Sequence, residues 1–403
     1  MISVAEAEAR VAQALQPTHL EWVPVDAAAG RTLARPLAAT RTQPPADVSA
    51  MDGYAVRAAE VVVGRPLVVS GESAAGGRPA PPLAPGSCVR IFTGGLLPEG
   101  ADAILIQENA ERTGADVRPT EAVAAGRHVR TTGIDFRTGE VLLPQGCRLG
   151  ARQVGLAASM GHGHVAVHRR PRIGIAATGD ELVRPGAPIT ERQIPNSNVV
   201  AIAAAAAAFG GEPVDLGIVR DDPEDLLALT REIGGLDLLV TSGGASVGDH
   251  DLIRSVLGTA GLELDFWRIA MRPGKPLVFG RLQDVQLLGL PGNAVSTTIC
   301  CLVFLRTALD RLCGRPGSPL PLRHAHMAVP MPANDQRQDF VRAQLEPLGD
   351  AAAPRVRPFS VQDSSMMSTL AHADALIVRP PFDPPRAIDD LVDIVRLNDV
   401  TGF

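Results

Sequence analysis

The chain opens with Ser3 and Glu6 spaced as a capping box, and Val4, Ala12 and Leu15 follow at helical spacing, so one helix begins the sequence. From about Val23 to Arg170 the pattern changes. Short β-branched runs (Pro66–Val69, Cys88–Phe92, Ala103–Gln107, His128–Thr131) lie between Gly/Pro turns and predict a strand-rich region. From Arg172 the pattern becomes regular. Arg172–Ala177 reads as a strand, Asn198–Phe209 as a helix and Val214–Val219 as a strand. Asp222 then reads as an N-cap with Pro223 at the first helical position. Leu236–Val240 is a further strand, followed by a Gly/Ser loop and a helix from about Asp251. Phe266–Ala270 and Leu287–Leu290 read as strands, and Asn293–Leu312 as one long apolar helix. This alternation predicts βα units: a parallel sheet with helices on both faces. Gly314–Pro321 reads as a linker. The remainder, about Leu322–Phe403, carries short runs such as Ala375–Val378 and Leu391–Leu397 and predicts a small β domain.

The chain has 403 residues, enough for roughly two to four domains. A net charge of −6 argues against general nucleic-acid binding. The hydrophobic fraction of 45% excludes a disordered chain. The longest uncharged apolar run, Val199 to Phe209, is too short to span a bilayer. The acidic first residues do not form a signal peptide. The five cysteines include no CxxC pair, so neither a zinc ribbon nor a disulfide framework is expected, and a reducing cytoplasm fits.

In an open parallel sheet, ligands bind beyond the carboxyl ends of the strands. The loops there are Thr178–Glu181, Arg220–Asp222, Ser242–Asp251, Arg272–Lys275 and Pro291–Ser296. All carry glycine or charge that core packing does not require. In the third loop, Gly243 and Gly244 let backbone N–H groups approach an anion, and Ser242 and Ser246 add hydroxyls. Asp249 and Asp251 are either caps of the next helix or ligands. Glu181, Asp221 and Asp251 approach one rim, and such carboxylates beside a phosphate cradle suggest Mg²⁺. Arg272 and Lys275 sit in a rigid Pro/Gly turn that aims cations. Ser296 opens a helix with Asn293 as its cap, either as ordinary capping or as an oxyanion seat. His162 and His164 have no partner ligand in sequence and read as a solvated loop.

Together these motifs resemble the molybdopterin molybdenumtransferase family, MoeA in bacteria and the gephyrin E domain in animals. Ser49-Ala50-Met51-Asp52-Gly53-Tyr54-Ala55 looks like the family's signature. Ile91-Phe92-Thr93-Gly94, Pro98–Ala103 and Gly133-Ile134-Asp135 follow, then the loops above, in the family's order over essentially the whole chain. The resemblance implies a multidomain α/β plus β fold. Its central parallel α/β domain is of the molybdopterin-binding type, with strand-rich N-terminal domains and a small C-terminal β domain. The implied division is 1–38 with 135–170 as a discontinuous helix and linking domain, 39–134 as domain II, 171–315 as domain III and 316–403 as domain IV.

The implied activity is molybdenum insertion into adenylated molybdopterin, with molybdate and Mg²⁺ consumed or used and AMP released, the last step of molybdenum cofactor biosynthesis. The implied assembly is a cytoplasmic homodimer with the active site shared between subunits; molybdopterin adenylyltransferase and apo-molybdoenzymes are candidate partners, and neither nucleic acid nor membrane is expected. By resemblance, Asp52, Thr93 and Asp135 enter the cleft from the partner subunit. Glu181, Asp221 and Asp251 surround Mg²⁺ and pyrophosphate; Ser242, Gly243, Gly244 and Ser246 cradle phosphate. Lys275, Ser296 and Arg342 hold molybdate, Ser364 falls where the family has a serine near the oxyanion, and Arg272 is a further substrate-binding residue. Arg272 replaces a frequent lysine, Ala294 the proline of the PGNPVS motif, and Asp363 adds negative charge beside Ser364. Rival readings are the adenylyltransferase, a gephyrin-like scaffold without chemistry, and tungstate as the oxyanion.

Overall fold

The computed structural model describes residues 1–244, 252–317, 319–346 and 353–400. Ser3 caps the helix Val4–Ala14, its hydroxyl accepting the Glu6 N–H at 3.1 Å. The Glu6 carboxylate, however, pairs with Arg10 at 2.6 Å rather than closing the box. Val4, Ala7, Val11 and Leu15 bury in the core of the α/β domain, and Arg311 donates to the Ala12 carbonyl. The opening helix is thus fastened to a domain that begins far downstream.

Leu20–Pro24 pairs antiparallel with His164–His168, so a strand near the N-terminus closes on one beyond the next region. Between them lies a six-stranded sheet in which Gly53–Val56 is flanked by Ser87–Ile91 and Ala103–Ile106, both antiparallel to it. Gly53 is required there: a Cβ would lie 2.1 Å from the Leu105 carbonyl oxygen.

The central domain is a six-stranded sheet. Its elements are β1 (Arg172–Thr178), α1 (Ser197–Ala208), β2 (Glu212–Val219), α2 (Pro223–Leu229), β3 (Leu238–Ser242), α3 (Leu252–Thr259), β4 (Leu262–Phe266), β5 (Val278–Leu282), β6 (Val285–Leu290), α4 (Ala294–Cys300) and α5 (Arg306–Leu312). The order is β2-β1-β3-β6-β5-β4. β2, β1, β3 and β6 are parallel, as the alternation implies. β5 and β4 are antiparallel, which corrects the expectation of an all-parallel sheet. The reason is local: only Gln283 and Asp284 separate β5 from β6, and a two-residue connection can only make a hairpin. Gln283 takes φ 56° to close it.

Phe266–Ala270 is likewise not a strand. The edge strand is Leu262–Phe266, where exposed Glu263 and Asp265 are tolerated, and Ile269 instead bridges to Ile2. Helices cover both faces: Ile202, Ala206 and the wholly buried Cys301–Leu305 segment on one, Leu226, Leu229 and Leu257 on the other. Cys301–Leu305 is a π-helical turn between α4 and α5, so the long apolar helix is present but interrupted in its hydrogen bonding.

The C-terminal strands close on themselves. Gln338–Glu346 pairs with both Arg355–Pro358 and Ala375–Arg379, and Leu322–Met327 and Leu391–Arg396 complete the ring. The short strand Met271–Arg272, from the α/β domain, adds in parallel to Gln338–Asp339 and so joins the two units. No helix among the described residues is long and apolar enough to cross a membrane.

Asp222 caps α2 as its sequence context predicts, accepting the N–H groups of Glu224 at 2.8 Å and Asp225 at 3.3 Å. Asp222→Ala is expected to cost about 1 kcal/mol, read as a lower urea midpoint at unchanged slope. An unchanged midpoint would remove the cap from the account of this helix.

Candidate active site

The carboxyl ends of β1, β2, β3 and β6 meet at one rim. Leaving β3, the chain passes Gly243 at φ 91°, where a Cβ would sit 2.5 Å from the Thr178 carbonyl oxygen. Only glycine lets the β1 and β3 loops lie this close. The buried Ser242 hydroxyl accepts from the Asn198 amide at 2.9 Å, and the same amide donates to the Gly292 carbonyl at 2.7 Å. Asn198, in the first turn of α1, therefore staples the β3 loop to the β6 loop. Its only sequence signal is a second Asn two residues past the α1 cap, Asn196, and local pattern gives it no role beyond starting the helix.

The resulting depression, about 700 Å³, is lined by Glu181, Asp221, Ser242, Gly243, Gly244 and Ser296 among others. Six of the expected residues are thus brought together. Ser246, Asp249 and Asp251 lie outside the described residues.

Burial, then the charges of Asp180 and Glu181, raise the Asp221 carboxyl above its ordinary value. Among the described residues no cation offsets this. Such a site fits a hard divalent ion. Among the described residues no three His, Cys, Asp or Glu side chains converge as a ready metal cage. A folded-state value above the unfolded one means that ionising Asp221 costs stability as pH rises through that raised value.

A second pocket of about 540 Å³ adjoins the first, and Pro276 and Ser296 line both. Its walls come from residues 271–276 of the α/β domain and from the barrel, including Arg342, Gln362 and Ser364. Most of its cations are paired. Arg272 bonds Asp339, pairs with Asp335 at 3.2 Å and donates to Asn334 at 3.1 Å. Arg337 pairs with Asp335 at 2.6 Å and Arg379 with Asp383 at 2.8 Å.

Two cations differ. The exposed Lys275 ammonium has no hydrogen-bond or ion-pair partner among the described residues, only its carbonyl accepting from the Ile269 N–H at 3.3 Å. Arg342 is only 2% exposed, yet its guanidinium donates to neutral oxygens alone: Gln362 at 3.3 Å and the Met366 carbonyl at 3.1 Å. Asp363 makes no ion-pair contact with it: its carboxylate accepts the Ser365 N–H at 2.8 Å and hydroxyl at 2.6 Å, and these bonds, with the more distant Arg342 charge, lower it below the usual range. Ser364 is held by its own neighbours: its hydroxyl accepts from Asn293 at 2.9 Å and its carbonyl from the Val295 N–H at 3.2 Å. Asn293 thus reaches across to the barrel side instead of capping α4 with its side chain.

Asp52 and Thr93 lie together on the strand-rich sheet. One Asp52 oxygen accepts both the Thr93 N–H at 2.8 Å and its hydroxyl at 2.9 Å, and these bonds lower the Asp52 carboxyl. Asp135 is exposed on a loop, its N–H bonding the Gln43 carbonyl at 3.1 Å. None of the three lines either pocket of its own chain. His162 turns a ring nitrogen to the Ala38 carbonyl at 2.8 Å.

An α/β domain with a glycine cradle and a carboxylate rim, set against a barrel that supplies a buried cation, defines an anion-handling protein of the molybdopterin-binding architecture. Residues 2–161 match the MoeA N-terminal region (domain I and II), 174–311 the probable molybdopterin binding domain and 324–393 the MoeA C-terminal region (domain IV). The chain belongs to the MoeA family of molybdopterin molybdenumtransferases, transferases of molybdenum cofactor biosynthesis. It is 31% identical to the molybdopterin molybdenumtransferase of Haemophilus influenzae, over 94% of each chain. It is 32% identical to molybdopterin molybdenumtransferase 2 of Mycobacterium tuberculosis, over 94% of this chain and 96% of that one. The crystal structure of the molybdopterin biosynthesis MoeA protein from Pyrococcus horikoshii superposes with a TM-score of 0.81 at 29% identity, covering 98% and 99% of the two chains.

Asp221→Asn removes a repelled carboxylate, so it is expected to raise the melting temperature of the metal-free protein at neutral pH and to abolish the further rise that Mg²⁺ gives the wild type. A variant that Mg²⁺ still stabilises as much as wild type would take Asp221 out of the metal site.

Proposed function

We propose that this chain inserts molybdenum from molybdate into adenylated molybdopterin and releases AMP, with Mg²⁺ as cofactor. One observation carries the reading. Beside a glycine-lined cradle, the described residues leave two cations, Lys275 and Arg342, without a carboxylate partner while the surrounding arginines are paired. Two such charges suit a dianion, and molybdate is a tetrahedral dianion.

In this reading the pterin nucleotide lies along the first depression. Gly243 gives room for close approach, its own N–H being spent on the Leu290 carbonyl, while the Gly244 N–H with Ser242 and Ser246 holds its phosphates. Glu181, Asp221 and Asp251 hold Mg²⁺, which supplies charge neutralisation at the pyrophosphate. Molybdate sits in the adjoining pocket on Lys275, Arg342, Ser296 and Ser364, within reach of the pterin because Ser296 belongs to both walls. Arg272, already held by Asp335 and Asp339, adds positive charge to that wall and ties the barrel to the α/β domain.

Cleaving the AMP–pterin bond asks for charge stabilisation and a placed water more than for a protein nucleophile, so no covalent residue is assigned. Asp52, Thr93 and Asp135 lie away from their own chain's pockets; in a homodimer the partner's copies complete the cleft, with Asp52 and Asp251 placing water or metal. The four-domain division given by the sequence, and a cytoplasmic location, belong to the same reading.

The test is AMP release from adenylated molybdopterin and Mg²⁺, with and without molybdate. Molybdate-dependent release, and a product that reconstitutes an apo-molybdoenzyme, are expected. Release with tungstate alone changes the metal; no release with either oxyanion from folded dimer overturns the reading in favour of a scaffold. Lys275→Gln removes one charge-assisted contact of about 1.5–3 kcal/mol. It should therefore raise the KM for molybdate roughly tenfold or more while the KM for the pterin nucleotide stays put. Asp52→Ala and Asp251→Ala should each abolish turnover and leave the circular dichroism spectrum unchanged; retained activity in both would discard the shared-site assignment.

A further inference from the structure

Gln362 stands at a place where the barrel's hydrogen-bond ladder runs out. Gln338–Glu346 pairs with Arg355–Pro358 as far as Ala343 opposite Pro358, and the Phe359 N–H makes a last bond to the Arg342 carbonyl. Beyond that the second segment turns away, and the Gln362 side chain takes over as partner. Its oxygen accepts the Arg342 N–H at 3.1 Å, and its amide nitrogen donates to the Arg342 carbonyl at 2.9 Å and the Phe359 carbonyl at 2.9 Å. The same oxygen accepts from the Arg342 guanidinium at 3.3 Å. One neutral side chain therefore grips both ends of Arg342.

The contrast with the rest of the pocket is chemical. Arg272, Arg337 and Arg379 are each oriented by an aspartate, which also cancels their charge. Arg342 is oriented by an amide; the carboxylate of Asp363 bonds Ser365 and acts on Arg342 only through space, not by contact. An amide directs a guanidinium as an acceptor but brings no formal charge.

We infer that Gln362 is a positioning residue for the oxyanion seat: it fixes the Arg342 guanidinium while leaving its positive charge free for the incoming anion. This rests on the oxyanion reading of the pocket given above. It also predicts an order of effects that a purely structural tether reverses. Gln362→Glu keeps the acceptor for both Arg342 N–H groups, loses the two donations to the Arg342 and Phe359 carbonyls, and supplies a counter-charge. Gln362→Leu keeps neutrality and loses every bond.

The experiment is molybdate binding to the full-length protein by titration calorimetry, with thermal melting and steady-state turnover in parallel. Wild-type protein that binds no molybdate would end the oxyanion reading itself. Given wild-type binding, Gln362→Glu should weaken molybdate roughly tenfold or more by pairing the cation. Gln362→Leu should weaken it a few-fold and lower the melting temperature more than Gln362→Glu does. In both, kcat at saturating molybdate and the KM for the pterin nucleotide should stay near wild type, since the loss is confined to ground-state oxyanion binding. Molybdate affinity that suffers as much or more in Gln362→Leu than in Gln362→Glu overturns the inference. Should Gln362→Glu fail to fold, Gln362→Leu decides: an unchanged molybdate affinity overturns it and a few-fold loss supports it.

Discussion

A guanidinium held inside a protein without a counter-charge in direct contact is unfavourable unless hydrogen bonds hold it and an anion arrives to complete it. Arg342 is in that condition, and much of the surrounding architecture serves it. The barrel strand Gln338–Glu346 buries it, Gln362 and Met366 aim it with neutral oxygens, and aspartates quiet the neighbouring arginines. Lys275 enters from the other domain on a short Gly/Pro turn. The pocket therefore exists only because the α/β domain and the barrel are docked, through a buried core that Phe340, Leu376 and Val395 share with Leu288 and Ile299.

The docking has its own chemistry. Met271–Arg272 leaves the α/β domain and becomes a strand of the barrel sheet, and Arg272 clasps Asp335, Asp339 and Asn334 there. Asn293 and Val295, at the start of α4, hold Ser364 from the opposite side. The substitution of arginine for the lysine expected at 272 gains meaning from this arrangement. A planar fork can serve several acceptors at once, whereas an ammonium could not span them in the same geometry. The second depression depends on a different close approach: glycines at 243 and 292 let the β3 and β6 loops meet under Asn198, with the carboxylates of Glu181 and Asp221 beyond.

Much of this was legible in the residues. The βα alternation, the cap at Asp222, and the rim that gathers Glu181, Asp221, Ser242, Gly243, Gly244 and Ser296 all follow from local pattern, because strand ends and helix starts are set by short-range sequence. The β5–β6 hairpin was missed because a two-residue Gln283-Asp284 turn lacks the usual glycine signal. The edge strand Leu262–Phe266 was misplaced because exposed acids dilute its apolar pattern. Asn198 and Gln362 were passed over because an amide's work depends wholly on what faces it.

What the sequence determined by itself was the class of each element, the loops that would carry chemistry, and the family. These depend on periodicity, capping and motif order, all local properties of the chain. What only the tertiary structure decided was which charges stay free. Arg272 and Arg342 are the same residue type, both lining one pocket, yet acids from the barrel claim the first and an amide steers the second. Pairing across dozens of residues is set by how the barrel closes and docks, and no local pattern encodes it.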